Sequence, residues 1–415
     1  MRQTKIFTKT RKTAPTDEEA INAKLLIRGG FIHKEMAGVY SFLPLGLLTL
    51  NKINEIIRDE MQKIGGVEIH LSALQDKTVW EKTGRFDDSV VDVWFKTRIN
   101  SGSEAGLGFT HEEPITRMMK DHIQSFRDLP IYPYQFQTKF RNEPRAKSGI
   151  MRTREFLMKD LYSFSRDENE HNEFYEKIKQ TYLNIFTRAG LGDRTLVTFA
   201  SGGSFSKFSH EFQTLTEAGE DTIFVCEKCN VAVNADIRGE QKTCPVCQNE
   251  DLTEKKAVEV GNIFSLGTKF SEAIELLYSN EEGEKKPVIM GSYGIGPARL
   301  MGTIVEILSD EKGIVWPENV APFKVHLIQI GKNSKGKAEE IYKKMLEKNI
   351  SVLFDDRDTT PGEKFADADL IGLPIRAVVS DKNFESGEIE IKMRKSDELQ
   401  NVKIDEFLNQ YENNR

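Results

Sequence analysis

The chain has no run of eighteen or more apolar residues, so no membrane-spanning helix is expected. Its first twenty residues, MRQTKIFTKTRKTAPTDEEA, carry basic side chains but no apolar stretch, so a secretory signal is not expected and we read a soluble, cytoplasmic protein. A positive excess is also missing: 58 Lys and Arg stand against 65 Asp and Glu, for a formal net charge of −7. Indiscriminate nucleic-acid binding needs a broad positive field and is disfavoured, while local basic patches stay open. Cysteine is scarce, four in all, every one between Cys226 and Cys247. So local a set argues against a disulfide framework and suggests a metal. Neither an internal repeat nor a low-complexity tract is visible. What is there is ordinary globular material: 415 residues, 38% hydrophobic and 9% aromatic, enough for two or three domains with true cores.

Apolar residues at Leu50, Ile53, Ile56, Ile57, Met61 and Ile64 recur in steps of three and four, predicting a helix over Leu45–Ile64 that Gly65 and Gly66 stop. VEIHLSAL then alternates like a strand. In GLGFTHEEPITRMMKDHIQSF, Pro114 suits a first helical turn, and Ile115, Met118, Met119, His122, Ile123 and Phe126 share one apolar face. His122 on that face reads as a packed histidine rather than a ligand. Two strands flank a basic loop around 140–156, and a helix is expected over Glu170–Ala189. Beyond Pro317 and Pro322, strands and helices alternate from about residue 323, predicting a separate α/β domain.

The stretch FRNEPRAKSGIMRTREF places Arg141, Arg145, Lys147, Arg152 and Arg154 close together. On paired strands, arginine forks match phosphate oxygens bidentately. Glu143 lies on the same side as Arg141 and can accept from an amine such as that of adenine, while Phe156 can stack on a base. A solvated, ion-paired hairpin is the plainer reading of the same residues. GSYGIGPARL puts small residues ahead of Arg299 at a helix start, where backbone and arginine can both meet phosphate, although no P-loop Lys-Ser/Thr pair follows. Cys226-x-x-Cys229 and Cys244-x-x-Cys247 have the spacing of a four-cysteine zinc ribbon, against free structural thiols. So small a unit needs metal to fold on its own.

Together, FRNE, REF and GIGPAR resemble motifs 2 and 3 of class II aminoacyl-tRNA synthetases. THEE, YQFQTKFRNE, MRTREFLMKDLYSF, SHEFQ and LFDDRDTTPGEKFADADLIGLP extend the resemblance to the bacterial prolyl-tRNA synthetases over nearly the whole chain outside the cysteine segment. The resemblance implies an α+β catalytic domain with a mixed, mainly antiparallel sheet at 1–222 and 258–322. It also implies an α/β anticodon-binding domain at 323–415, while the zinc-ribbon-like insertion at 223–257, read from the cysteine spacing, departs from the family pattern. It further implies a homodimer that uses ATP, Mg²⁺ and L-proline to charge tRNA.

By the same resemblance, Arg141 holds the α-phosphate and Arg299 and Arg152 hold the β- and γ-phosphates, with Arg141 and Arg299 the catalytic pair. Glu143 reads adenine and Phe156 stacks on it. Thr268, Ser265 and Ser292 are further nucleotide contacts, the last two standing where relatives often have glutamine and cysteine. Thr110 and Glu112 bind the proline imino nitrogen, with Arg141 and His210 also in the amino-acid pocket; Trp80 is a weaker candidate and reads rather as core. Ser72 stands where motif 1 usually has proline. Lys364, Lys392 and Arg394, with Lys395 beside them, are the expected tRNA contacts. The cysteine segment sits where many relatives carry a large editing domain, so cis-editing is not expected. Deleting residues from 323 onward is expected to cost aminoacylation more than adenylate formation. The alternatives are a threonine, serine or glycine enzyme of the same subclass, a non-catalytic synthetase-like RNA binder, and a zinc-ribbon nucleic-acid module on a vestigial ligase.

Overall fold

The computed structural model describes residues 1–144, 148–203, 208–383 and 385–412. Arg145 and Lys147 of the basic loop lie outside the described residues. By contacts the chain forms two compact units, 36–39 with 54–303, and 1–35 with 40–53 and 304–415.

The larger unit is built on a nine-stranded sheet. Its strands are β1 (Val67–Glu68), β2 (Pro133–Phe140), β3 (Glu155–Ser165), β4 (Thr195–Ser201), β5 (Phe208–Leu215), β6 (Asp221–Cys226), β7 (Val231–Asn234), β8 (Thr253–Gly267) and β9 (Ile289–Ile295). The order is β5-β4-β7-β6-β8-β9-β3-β2-β1, with β5 also pairing β8. Only β7 with β4 and β1 with β2 run parallel; the other pairings are antiparallel. The helix of Leu50 to Met61 forms as Pro44–Lys63. A second helix, Glu168–Arg188, is capped by the Asp167 side chain, which accepts from the Glu170 N–H, and a left-handed Gly190 (φ 90°) follows its end.

Two local expectations fail for visible reasons. VEIHLSAL is not one continuous strand: it is strand at Val67–Glu68 and again from Leu74, and between them the Leu71 backbone bonds side chains instead of a ladder, its N–H donating to Gln135 (2.9 Å) and its carbonyl accepting from Gln137. The THEE helix ends at Met119, short of His122, which is exposed rather than packed, whereas His111, the residue just before the helix, is fully buried. Trp80 is core, against Trp94 (4.5 Å between ring centroids) and Phe109 (5.1 Å).

The cysteine segment is not a free-standing insertion. β6 pairs β8 and β7 pairs β4, so its two strands complete a closed circuit of pairings through β5. In the smaller unit, three parallel strands, 352–355, 325–330 and 375–380, continue into an antiparallel pair, 388–393 and 399–403. Helices Lys335–Glu347 and Ile404–Gln410 bury Ile341, Met345, Phe407 and Leu408 against this sheet.

Candidate active site

Three cavities lie on one face of the nine-stranded sheet, and Arg141 and Glu143 line all of them. Both residues follow the end of β2, where the Arg141 N–H still donates to Arg154 O (2.8 Å) and so extends the β2–β3 ladder by one rung. The first cavity, about 590 Å³, holds Arg141, Arg152, Phe156, Glu259, Asn262 and Arg299. The third, about 1040 Å³, holds Thr110, Glu112, Asp160, Tyr162, Ser292 and again Arg141. Gly294 lines both; a Cβ there would come 3.0 Å from Asn262 Oδ1, so the absent side chain keeps the floor open.

The three arginines differ in their partners. Arg152 is held by Glu143 (2.9 Å) and Glu220 (3.1 Å). Arg299 is held by Glu259 (3.1 Å) and donates to Met151 O (2.8 Å). Arg141 pairs with no carboxylate among the described residues; its Nε reaches only Phe109 O at 3.4 Å, and its guanidinium lies 5.4 Å from the Phe156 ring centroid. Burial, then the neighbouring Arg299 charge, pulls Arg141 below the ordinary guanidinium pKa. A recessed cation under such stress is a strong anion acceptor.

The far end is acidic. Glu112 is buried and accepts from Thr110 Oγ1 (2.6 Å) and Ser292 Oγ (3.1 Å), with Arg85 Nη1 at 3.5 Å. Glu113 takes most of Arg85, at 3.0 and 3.1 Å. That leaves Glu112 facing a cavity, where a small organic cation can be held by charge and hydrogen bonds together. Ser292, expected at the nucleotide, stands at this acidic end. Ser265, Thr268 and His210 line none of the three cavities. His210 bonds Tyr175 (2.8 Å) and packs on Phe199, and burial lowers its pKa to about 4.

Sequence reasoning missed Glu259, Asn262, Asp160 and Arg85. The signal for Asp160 was present: Lys159 and Asp160 are adjacent charges inside the otherwise apolar FLMKDLYSF. Arg85 left no signal, since only folding brings it to Glu112.

The four cysteine sulfurs lie within 4.8 Å of one another, with Cys226 and Cys247 3.7 Å apart. A tetrahedral zinc thiolate with bonds of about 2.3 Å sets its sulfurs about 3.8 Å apart, so the set fits that ion. The two pairs are built alike. Asn230 (φ 54°) and Gln248 (φ 60°), each just after a second cysteine, are left-handed, and their N–H groups return to Cys226 O and Cys244 O, each at 2.9 Å.

The expected tRNA contacts are occupied within the chain. Lys364 is buried and donates to Gln329 O (2.7 Å) and Asp355 O (3.3 Å), so its ammonium does not face a partner. Lys392 meets Asp397 (3.0 Å), and Arg394 grips Asp310 through two 2.7 Å bonds. Lys395 alone of the group is exposed.

Residues 94–308 match the tRNA synthetase class II core domain (G, H, P, S and T), and 324–414 match the anticodon binding domain. A proline-tRNA ligase from Wolbachia sp. subsp. Drosophila simulans (strain wRi) is 38% identical over 99% of both chains. One from Caulobacter vibrioides is 37% identical over 98% of both. In fold, the chain is similar to prolyl-tRNA synthetase from Cryptosporidium parvum complexed with L-proline and AMP. That likeness has TM-score 0.74 and 18% identity, and covers 94% of this chain and 75% of that one.

Proposed function

The chain belongs to the proline-tRNA ligases of the class II synthetase family, and from that premise we propose how its cleft divides the work. The enzyme activates L-proline with ATP and passes it to tRNA. The observation that carries the site reading is Arg141, a recessed guanidinium without a carboxylate partner where the cavities meet. It binds the α-phosphate of ATP and the proline carboxylate that attacks it, and so stabilises the charge that builds between them. Thr110 and Glu112, braced by Ser292, hold the cationic imino nitrogen. Glu143 accepts from the adenine amine and Phe156 packs on the ring. Arg152 and Arg299 exchange their present carboxylates for the β- and γ-phosphates as ATP enters, with Mg²⁺ arriving as part of that substrate. Ser265, Thr268 and His210 take no part in this reading.

The cysteines would hold a structural Zn²⁺, which ties the two turns together; all four positions are thiolates, so no step of the reaction passes through it. The enzyme acts in the cytoplasm as a homodimer. Cis-editing is absent, since 223–257 is short and its strands belong to the main sheet. A pocket separates alanine from proline by only about 1–3 kcal/mol, so mischarging follows unless another protein removes it.

The test is pyrophosphate exchange with proline, alanine and threonine side by side. Proline is expected to give the highest kcat/KM and alanine a weaker but measurable signal. Exchange led by threonine would assign the site to another amino acid.

A further inference from the structure

The first sixteen residues contain Arg2, Lys5, Lys9, Arg11 and Lys12 and no acidic residue, in a chain of net charge −7. Within the smaller unit this segment is strapped onto the α/β sheet. Phe354 N–H donates to Met1 O (2.8 Å), Thr4 Oγ1 donates to Asp356 (2.8 Å), and Thr10 Oγ1 donates to Asp367 (2.6 Å). From Lys5 to Arg11 exposure alternates: Lys5, Phe7, Lys9 and Arg11 are exposed, while Ile6, Thr8 and Thr10 are half-buried. That is the period of an extended chain, with one face inward and the other in water. The outward face therefore presents cation, aromatic, cation, cation at steps of about 6–7 Å.

Two features separate this face from an ordinary solvated charge run. Lys5, Lys9 and Arg11 form no ion pair among the described residues, whereas Arg2, turned inward, bonds Glu339 and Asp356. Phe7 is 77% exposed, the highest exposure among the large hydrophobic residues. An unpaired cationic track interrupted by a bare aromatic matches an RNA strand, with phosphates along the cations and a base stacked on the ring. The two acids that the strap's threonines bond are also engaged by arginines: Asp367 by Arg357 (2.8 Å) and Asp356 by Arg2.

We propose that the N-terminal strap is a tRNA-binding surface, on which Lys5, Lys9 and Arg11 meet backbone phosphates and Phe7 stacks on an unpaired base. The inference rests on the ligase reading and adds a surface that the expected lysines 364 and 392 do not supply.

The test compares the full-length enzyme with a triple variant, Lys5→Ala, Lys9→Ala and Arg11→Ala, and with Phe7→Ala. The readouts are tRNA binding across a salt series, aminoacylation KM for tRNA, and proline-dependent pyrophosphate exchange. Loss of three phosphate contacts flattens the slope of log K against log salt by about 2 to 3. Phe7→Ala weakens binding at least about fivefold with the slope kept. Exchange stays at the parent level in both, and a charge-preserving set, Lys5→Arg, Lys9→Arg and Arg11→Lys, keeps the parent slope. Unchanged affinity and slope in the triple variant overturn the proposal. So does a charge-preserving set that behaves like the alanine set, which makes the strap structural. A parent enzyme that charges no tRNA with proline sinks the ligase reading itself, a separate result.

Discussion

Lys139 is fully buried, and its ammonium sits between His111 Nδ1 (2.6 Å) and Asp160 (2.9 Å) directly behind the Thr110–Glu112 turn. Burial, with Lys139 second, lowers His111 to a pKa of about 4, so its ring is neutral and Nε2–H donates to Ser72 O (3.1 Å). Burial pushes Asp160 up, but Lys139, His111 and the Gln135 amide together hold it below the usual carboxylate value. Removing one partner of such a pair leaves a buried charge uncompensated. Lys139→Met is therefore expected to cost about 3–5 kcal/mol in denaturant unfolding, and the added change Asp160→Asn to recover part of it. A loss below 1 kcal/mol, on the order of an exposed pair, contradicts this. Lys159 makes the opposite case. Burial lowers it from 10.5 to about 7, with Tyr293 O as an acceptor at 3.1 Å. A base depressed in the folded state destabilises it fully below pH 7. Between pH 7 and 10.5 the unfolded chain holds the extra proton, so stability climbs with pH by at most about 1.4 kcal/mol per unit. Lys159→Met should flatten that climb, and an unaltered profile would remove Lys159 as its source. At this scale the sequence marked chemistry better than depth. Arg141, Arg152, Arg299 and THEE could be singled out as cleft residues because their motifs are local. Whether a lysine such as Lys364 or Lys139 is buried depends on partners distant in the chain.

At the scale of elements, periodicity worked where one apolar face decides the outcome, as in Pro44–Lys63, Glu168–Arg188 and Lys335–Glu347. It failed where side chains take over backbone bonding, as Gln135 and Gln137 do at Leu71. Spacing announced the cysteine cluster, but not that β6 and β7 would join the main sheet. That pairing couples the cysteine cluster to the sheet. Freshly purified protein is expected to contain one zinc per chain, and chelation should lower the melting temperature by several degrees and speed hydrogen exchange in 221–234 and 253–257. Protein purified without zinc, or exchange unaltered by chelation, contradicts the assignment.

For the whole molecule, the contact units alter one expectation. The N-terminal residues join the unit of 304–415, with Arg2, Thr4 and Thr10 bonded to Glu339, Asp356 and Asp367. Deleting 323–415 strips those partners, so adenylate formation is expected to fall with aminoacylation rather than survive it. Survival of exchange in the truncated chain would show that the N-terminal segment does not need them. The chain alone should leave Ala-tRNA intact over hours, since its cysteine segment folds into the sheet as strands and loops; rapid deacylation would reveal an editing site. The central claim is that Arg141 receives both reacting anions. It is tested most directly by proline-dependent pyrophosphate exchange in Arg141→Ala, with the melting temperature measured on the same sample. The account predicts exchange lowered at least about a hundredfold on an intact fold. Exchange within a few-fold of the parent would contradict it.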